Sequence, residues 1–323
     1  MKLLLCQEIN IFSHLIPHSF RLEPSFDAEQ RQLINDLFDG GGARDLNPNS
    51  IVLTVNNKLP IDVKCIQSFN EHQNLNEKAM DAFLELCMLR DLQLVSAFNE
   101  VNADKASFIA RLGSTYLTSQ FANLLMQVDL SVEQFLTHDL VKELVQKQTM
   151  IKSYRTVIPI FWRGESYSEW LLVIVDTSNR TVNCIFTKFN TIIDSSIGDD
   201  AKTALCCNLR DKIGAILSTT SPLPTTGGQS VEQQLDQQPL LQWTHVNHFN
   251  SAGSDLNITE QQKRIPLSQN HGVSEKATTG IYIMYCIECD YFDAPLYATL
   301  ESDWLNIRRN LAYCILSEQL MLL

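Results

Sequence analysis

The residues best suited to chemistry in this sequence lie in one segment, KATTGIYIMYCIEC, at positions 276–289. Thr278 and Thr279 carry hydroxyl groups and stand directly before Gly280 and an apolar run. Because glycine has no Cβ atom, a glycine at such a place lets the backbone come close to another group. A threonine hydroxyl is a weak nucleophile unless a neighbouring base accepts its proton. Any chemistry at this segment therefore depends on the side chains that the fold brings beside Thr279.

Two further pairs of side chains have a spacing that zinc sites use. Cys286 and Cys289 stand three positions apart, as do His245 and His248, and both residue types bind zinc. However, the cysteines belong to an apolar run that is typical of a buried element, and the histidines precede a polar loop. Spacing alone does not make the two pairs converge on one point. We therefore predict no metal site, and nothing in the sequence indicates a cofactor.

Composition and charge argue against several classes of function. The chain has 323 residues, a net charge of −12 and no block rich in lysine and arginine, so we expect no nucleic-acid partner. No run of about 18 apolar residues occurs, so we expect no membrane span. The nine cysteines lack the spacing of a disulfide framework, which suits a reducing compartment. We expect the cytoplasm or nucleus, or the cytosol of a host cell if the protein is a secreted effector.

The chain divides into an extension and one large domain. Residues 1–50 are predicted to be an N-terminal extension, and residues 51–323 to form the domain. Residues 218–240 are rich in Ser, Thr, Pro, Gly and Gln, and residues 250–276 are polar. Such composition cannot bury much apolar surface, so both stretches are predicted to be flexible surface loops.

The first half of the domain has helical periodicity. Residues 74–98 predict a strong amphipathic helix, because their apolar side chains fall mostly on one face. Residues 103–150 are predicted to continue as helices. Ser131 and Gln134 have the spacing of a capping box at the start of one of them.

The second half begins with strands and returns to helix. The runs TVIPIFW, EWLLVIVDTS and TVNCIFTKF have strand character, and the polar DTSNRT predicts a hairpin between the last two. Apolar residues at successive positions of these strands indicate a sheet covered on both faces. Helices, a central antiparallel hairpin and further helices make an α+β fold the prediction.

A series of motifs between about residues 60 and 317 resembles the ubiquitin-like-protein-specific cysteine proteases, which process SUMO. In chain order they are NLNEKAMDAFLEL, VIPIFW, SEWLLVIVD, NCIFTKFN, WTHV, RIPLSQNHG, TTGIYIMYCIE and NIRRNLAYCIL. The resemblance implies a papain-like, adenain-like cysteine protease fold, with a small central mixed sheet flanked by helices.

The resemblance also implies where the catalytic positions of that family fall in this chain. The general base, a histidine before a tryptophan, corresponds to Glu169 before Trp170. The orienting aspartate corresponds to Thr187, and the nucleophilic cysteine before a glycine corresponds to Thr279. The oxyanion glutamine has a counterpart in Gln269, although Gln269 lies further upstream than the family pattern places it.

All three matched catalytic positions are substituted, so we expect no catalytic residues and a catalytically degenerate member. Thiol hydrolysis needs a thiolate, a base that generates it and a group that orients the base. Cys286, about two helical turns beyond Thr279, is interpreted as a core residue. His271, in the preceding loop, is interpreted as a solvated histidine.

The leading hypothesis is a pseudoprotease that binds a ubiquitin-like protein or its conjugate without cleaving it, in a groove beside Trp170, Asn76 and Gly280. One alternative is an active hydrolase that uses Thr279 or Cys286 to deconjugate ubiquitin-like proteins. Another is a regulatory protein that interacts through its extension and polar loops. Two motifs also have ordinary interpretations: Asn76-Glu77 as a helix start, and Arg308-Arg309 as a solvated pair.

Overall fold

The computed structural model describes most of the domain and little of what precedes it. It describes residues 47–70, 73–101, 114–153, 155–163, 168–177, 181–186, 199–220, 244–247, 275–292 and 301–318, together with Gln32 and Asp36. Of the predicted extension, residues 47–50 lead directly into the first strand. The rest of residues 1–46, apart from Gln32 and Asp36, lies outside the described residues.

The described helices and strands fall into two blocks along the chain. The first block contains β1 (Ile51–Val55), β2 (Leu59–Asp62), α1 (Val63–Gln67), α2 (Glu77–Val101), β3 (Ser114–Tyr116), α3 (Ser119–Leu125), α4 (Val132–Thr137), α5 (Asp139–Lys147) and α6 (Thr149–Lys152). The second contains β4 (Arg155–Arg163), β5 (Ser168–Asp176), β6 (Thr181–Phe186), α7 (Asp199–Thr220), β7 (Thr244–Asn247), α8 (Glu275–Phe292) and α9 (Glu301–Leu316).

The strands form two sheets. β1 and β2 pair as an antiparallel hairpin. The larger sheet has the order β3-β4-β5-β6-β7, with antiparallel pairs in its centre and a parallel strand at each edge. The prediction of an α+β fold with a small mixed sheet and a central antiparallel hairpin is therefore confirmed.

The central strand β5 is buried on both faces, as its continuous apolar sequence predicts. Side chains of a strand alternate between the two faces of a sheet. On one face lie Trp170, Leu172 and Ile174, which join a first core with helices α2, α8 and α9. On the other lie Leu171, Val173 and Val175, which join a second core with helices α3, α4 and α7. Each such side chain contributes about 1.5–3 kcal/mol by burial, so β5 stabilises both halves of the domain at once.

The helix over residues 74–98 is confirmed as α2. Its apolar residues predicted to share a face are all buried, with Met80, Phe83, Leu86 and Cys87 at most 1% exposed. Asn76 precedes the helix, and its side chain accepts a hydrogen bond of 2.8 Å from the backbone N–H of Lys78. The interpretation of Asn76 as a helix start is therefore confirmed, since a side-chain acceptor at this place satisfies an N–H group that has no partner within the helix.

The prediction that residues 103–150 are helical is wrong at Ser114–Tyr116, which form β3. β3 pairs in parallel with the start of β4, and the N–H of Leu117 extends the pairing to the carbonyl of Val157 at 3.0 Å. This pairing joins residues about forty positions apart, so local apolar periodicity does not report it. Later in the range, the capping box of Ser131 and Gln134 is confirmed at the start of α4.

Helix α7 extends into the first residues of the loop predicted at 218–240. Ser218 and Thr219 belong to the helix, and their hydroxyls donate to the carbonyls of Gly214 and Ala215, each at 2.8 Å. Hydroxyl residues remain helical when they bond back to the preceding turn in this way. Residues 221–243 lie outside the described residues.

Arg308 is buried, so its interpretation as part of a solvated pair is wrong. The residue is 1% exposed, and its Nη1 donates to the backbone carbonyls of Phe69 at 3.4 Å and Asn70 at 3.0 Å. A guanidinium carries five N–H donors and suits carbonyl groups left over after a short helix such as α1. Arg309 is partly exposed.

A buried ion pair ties α2 to α8 within the first core. Nη1 of Arg90 lies 2.8 and 2.9 Å from the two carboxylate oxygens of Glu288, and both side chains are 1% exposed. The guanidinium also lies 3.9 Å from the ring centroid of Tyr291. Two residues beyond Glu288 on α8, Asp290 pairs with Arg155 of β4. These contacts set the position of α8 along the sheet.

We expect the substitution Glu288→Gln to lower the free energy of unfolding by about 3–5 kcal/mol, because it leaves the buried guanidinium of Arg90 without its counter-charge. Urea unfolding at neutral pH measures the change. Glu143→Gln is the matched control, since Glu143 pairs with Lys147 on the exposed surface of α5 and its loss costs less than about 1 kcal/mol. Equal losses in the two variants would contradict the prediction.

Candidate functional site

Trp170 lies at the centre of the candidate site. Its side chain is 1% exposed, and the indole Nε1–H donates to the carbonyl of Leu75 at 3.3 Å. The ring of Phe161, on the neighbouring strand β4, lies 5.1 Å away between centroids. Trp170 thus joins the sheet to the segment that leads into α2, and both its ring and its N–H group have partners.

Thr279 lies against the backbone of Trp170. The threonine is 3% exposed, and its Oγ1 accepts a hydrogen bond of 3.3 Å from the backbone N–H of Trp170. The pairing register makes this N–H point away from β4, toward the side of β6, whose last described residue, Phe186, pairs with Leu171. The Thr279 hydroxyl therefore satisfies a strand N–H one position beyond the last described β5–β6 pair.

Gly280 allows helix α8 to approach this corner. A Cβ atom at Gly280 would lie 2.7 Å from Cβ of Leu75 and 2.9 Å from Cδ1 of Trp170. Real Cβ contacts are practically never that short, and the Leu75 Cβ cannot swing away because it is attached directly to the backbone. Only glycine fits at this point, which is the close approach that the sequence indicates for this position.

The structure brings some of the predicted site residues together, and the others lie wholly or partly outside the described residues. Trp170, Thr279 and Gly280 meet at one corner, next to the segment of Leu75 and Asn76. Glu169 lies on β5 opposite Trp162, but its side chain is outside the described residues. The remaining predicted positions also lie outside them: Thr187, Gln269, His271 and the side chain of Thr278.

The described cysteines near the site belong to the cores. Cys286 is 2% exposed on α8 within the first core, and Cys184 is fully buried on β6 within the second. Burial raises the pKa of the Cys65 thiol to about 12 and raises the pKa of Cys87 well above its ordinary value. Because the thiolate is the reactive form, Cys65 and Cys87 are inert at neutral pH, and burial withholds Cys184 and Cys286 from a substrate.

A polar cluster lies at the surface beside this buried corner. Arg163, the last residue of β4, places a guanidinium nitrogen 2.5 Å from Oε1 of Glu77, and Asn123 of α3 donates to Oε2 of Glu77 at 3.1 Å. The guanidinium also lies 5.4 Å from the ring centroid of Phe161. Sequence reasoning did not single out Arg163 or Asn123, because only the fold places them next to the start of α2.

An open cleft of about 560 Å³ adjoins this cluster. It is bounded by the last residues of β4, the end of α3 with the segment that follows, and the first turns of α7. Its lining residues are Asn123, Met126, Val128, Phe161, Trp162, Arg163, Ala204, Leu205 and Asn208. The lining is mainly apolar with two amide side chains, and its single charged residue, Arg163, is neutralised by Glu77.

The described residues include neither a cluster of metal ligands nor a helix suited to a membrane. Within those parts of the chain, no group of three or more His, Cys, Asp and Glu side chains is placed to hold a metal ion. His245 lies on β7 opposite Val182, and His248 is outside the described residues. None of the described helices is both long and apolar enough to cross a membrane.

We expect Thr279→Val to lower the free energy of unfolding by about 1–3 kcal/mol, because it keeps the shape of the side chain but leaves the buried N–H of Trp170 without an acceptor. Thermal or urea unfolding measures this loss. Thr279→Ser is the control, since it keeps the hydroxyl and loses only a methyl group. If the valine variant is as stable as the wild type, the hydrogen bond does not hold α8 against β5.

Gly280→Ala should also destabilise the domain, although alanine is the better helix former by about 1 kcal/mol. Overpacking against Leu75 and Trp170 costs about 1–3 kcal/mol and outweighs that gain. Gly214→Ala, in the interior of α7, is the matched control and should be neutral or stabilising. A stabilised Gly280→Ala protein, measured by the same unfolding experiment, would show that the close approach is absent.

Comparison with known proteins finds similarity of fold without similarity of sequence. No protein-family model matches the sequence, and no curated protein matches it. Among solved structures, the C-terminal Ulp1 protease domain in complex with Smt3, the yeast ortholog of SUMO, is 12% identical with a TM-score of 0.53, covering 93% of this chain and 100% of that one. The SUMO protease Ulp1 with its catalytic cysteine oxidised to a sulfenic acid is 14% identical with the same coverage and TM-score.

A third similar structure comes from another organism. The catalytic domain of the Ulp1-like SUMO protease of Chaetomium thermophilum is 16% identical, with a TM-score of 0.53 and 96% of each chain covered. At such low identity these likenesses show the fold alone. The chain has the α+β fold of Ulp1-like SUMO proteases.

Proposed function

We propose that this protein is a pseudoprotease, which binds a ubiquitin-like modifier or its conjugate and does not cleave it. The observation that carries the proposal is the burial and hydrogen bonding of Thr279 within a SUMO-protease fold. Thr279, which the motif resemblance matches to the family's nucleophilic cysteine, is buried, and its hydroxyl oxygen already accepts a hydrogen bond from the backbone N–H of Trp170.

Nucleophilic attack through Thr279 lacks its chemical requirements. A hydroxyl must lose its proton to a base as it attacks, and it must face the substrate. The position aligned with the catalytic histidine is Glu169, and a carboxylate of ordinary pKa is a weak base at neutral pH. The hydroxyl oxygen belongs to a residue that is 3% exposed, and it is hydrogen-bonded to a strand N–H, so it has little room for a carbonyl carbon.

Cys286 is no better placed than Thr279 to act as a nucleophile. It lies seven residues further along α8, which is about 10 Å along the helix axis. There it packs inside the first core at 2% exposure. Reaching a substrate from this position would require α8 to leave the sheet, and the buried pair of Arg90 and Glu288 opposes that movement.

Three features support binding as the function that remains. A fold can keep a binding surface after its catalytic groups are replaced, because function depends on the site and not on the fold. One solved neighbour of the same fold is a complex with Smt3. Beside the buried corner, this chain keeps an accessible surface made by Glu77, Asn123, Arg163 and the cleft. The net charge of −12 favours a neutral or basic partner surface.

Fluorescence anisotropy tests this proposal directly. Ubiquitin and SUMO are prepared with a dye on a short peptide fused to the C-terminus, and each is titrated with the protein. We expect a saturable rise for one modifier with no later fall, because the dye stays attached to a bound modifier. The active Ulp1 protease domain is the control that releases the dye.

Two results would contradict the pseudoprotease. A fall below the starting anisotropy would mean that the dye peptide had been released, so that the site is catalytic. A flat trace with both modifiers would mean that neither is bound. In that case, deletion of residues 1–46 or 221–243 and a search for partners of those segments becomes the appropriate experiment.

A further inference from the structure

Among the described residues, no strand pairs with the outer edge of β4 beyond Val157. In the larger sheet β4 lies between β3 and β5, but β3 pairs only with Arg155–Val157. The N–H of Leu117 makes the last contact on this side, to the carbonyl of Val157. Beyond Leu117 the chain turns into α3 at Ser119. β4 itself continues for six more residues, to Arg163.

The register shows which backbone groups face this open edge. β4 and β5 pair without a bulge, from Arg155 opposite Asp176 to Arg163 opposite Ser168. Since the carbonyl of Val157 points toward β3, and the backbone groups of a strand alternate in direction, those of Pro159, Phe161 and Arg163 point the same way. The direction of the Trp170 N–H, away from β4 and toward Thr279, agrees with this alternation.

Phe161 therefore presents a backbone N–H and a carbonyl at the edge. Within the described parts of the chain, no backbone or side-chain group forms a hydrogen bond with either of them. Pro159, the preceding outward residue, has no N–H to satisfy, which is why proline is tolerated at a strand edge. An unpaired strand edge is a template for another extended chain.

The cleft opens beside these same residues. Phe161, Trp162 and Arg163 form one of its walls. Apolar side chains of Met126, Val128 and Leu205 line the others, and Val128 is 77% exposed. Its one charged lining residue, Arg163, is paired with Glu77. The cleft thus suits an uncharged side chain that points away from a segment lying along the edge.

We propose that the edge of β4 at Phe161 and the adjoining cleft form a β-pairing site for an extended segment of a partner protein. The segment's backbone would donate to the Phe161 carbonyl and accept from the Phe161 N–H, and one apolar side chain would enter the cleft. Main-chain pairing supplies affinity in this mode of recognition, and the side-chain pocket supplies selectivity. The proposal rests on the proposed function for the identity of the partner, and it adds where and how that partner binds.

Amide hydrogen exchange in the free protein tests the open edge first. The N–H of Ile160 points toward β5 and pairs with Leu171, so its exchange should be slow. The N–H of Phe161 should exchange faster on the order of a hundredfold, because a paired strand amide exchanges only after a local opening. If Phe161 is protected as strongly as Ile160, the edge is already occupied and the proposal is overturned.

The cleft is tested with the dye-labelled modifier that binds in the anisotropy experiment. Val128→Glu places a charge in the cleft at a largely exposed position, and Leu92→Glu, at a residue that is 60% exposed on α2 and does not line the cleft, is the matched control. We expect at least about tenfold weaker binding for Val128→Glu, since a buried charge is costly, with no change for Leu92→Glu. The Phe161 amide should become protected in the complex.

The outcomes separate this proposal from the proposed function. If the modifier binds Val128→Glu as tightly as the wild type and Phe161 stays unprotected, the β-pairing site is wrong while modifier binding stands. If neither modifier binds, a hexapeptide of alternating valine and threonine is the second probe, with an N-methylated version as its control. A shift of the Phe161 amide resonance with the first peptide alone supports the site, and no shift with either peptide overturns it.

Discussion

Burial of β5 on both faces is the constraint on which the rest of this structure depends. A strand with apolar residues at every position can lie only between two apolar layers. Trp170, Leu172 and Ile174 serve one layer, and the alternate residues Leu171, Val173 and Val175 serve the other. The helices must therefore divide between the faces, with α2, α8 and α9 on one and α3, α4 and α7 on the other. The candidate site forms where the first layer meets the end of the strand.

At that end, Thr279, Gly280 and Trp170 have structural roles. The hydroxyl of Thr279 satisfies the strand N–H of Trp170, the absence of a side chain at Gly280 lets α8 approach, and the indole donates to Leu75. Active sites commonly hold unsatisfied or strained groups at a cost in stability. Here each polar group named has a partner, and the buried pair of Arg90 and Glu288 holds α8 in place. This arrangement favours a rigid scaffold over a nucleophile that must move a proton.

The accessible polar groups lie instead on the neighbouring strand β4 and beside it. β4 passes from a paired segment beside β3 to an unpaired one at Phe161, and the surface cluster of Glu77, Asn123 and Arg163 stands next to it. Main-chain groups at a strand edge recognise another main chain with little dependence on sequence. Under the proposed function, a protein without the groups for cleavage could still hold an extended segment at such an edge. Binding and cleavage thus depend on different atoms of the same fold.

Sequence alone indicated the main elements of the architecture, and the motif resemblance supplied the expectation that catalytic positions are altered. Continuous apolar strands and the 3.6-residue period of α2 are local signals, so the covered sheet, the hairpin, the capping box at Ser131 and the start of α2 at Asn76 were predictable. The order of motifs led to the protease fold for the same reason, because each motif is short and keeps its own residues. Thr279 before Gly280 could be read directly from the chain.

Only the tertiary structure decided what those residues contact. β3 depends on pairing with β4 about forty residues away, and the burial of Arg308 depends on carbonyl groups of Phe69 and Asn70. The hydroxyl of Thr279 became a partner of Trp170 because α8 packs against this end of β5. The open edge at Phe161 likewise exists because the chain after Leu117 turns into a helix. Such contacts join distant parts of the chain, and no local pattern of residue types records them.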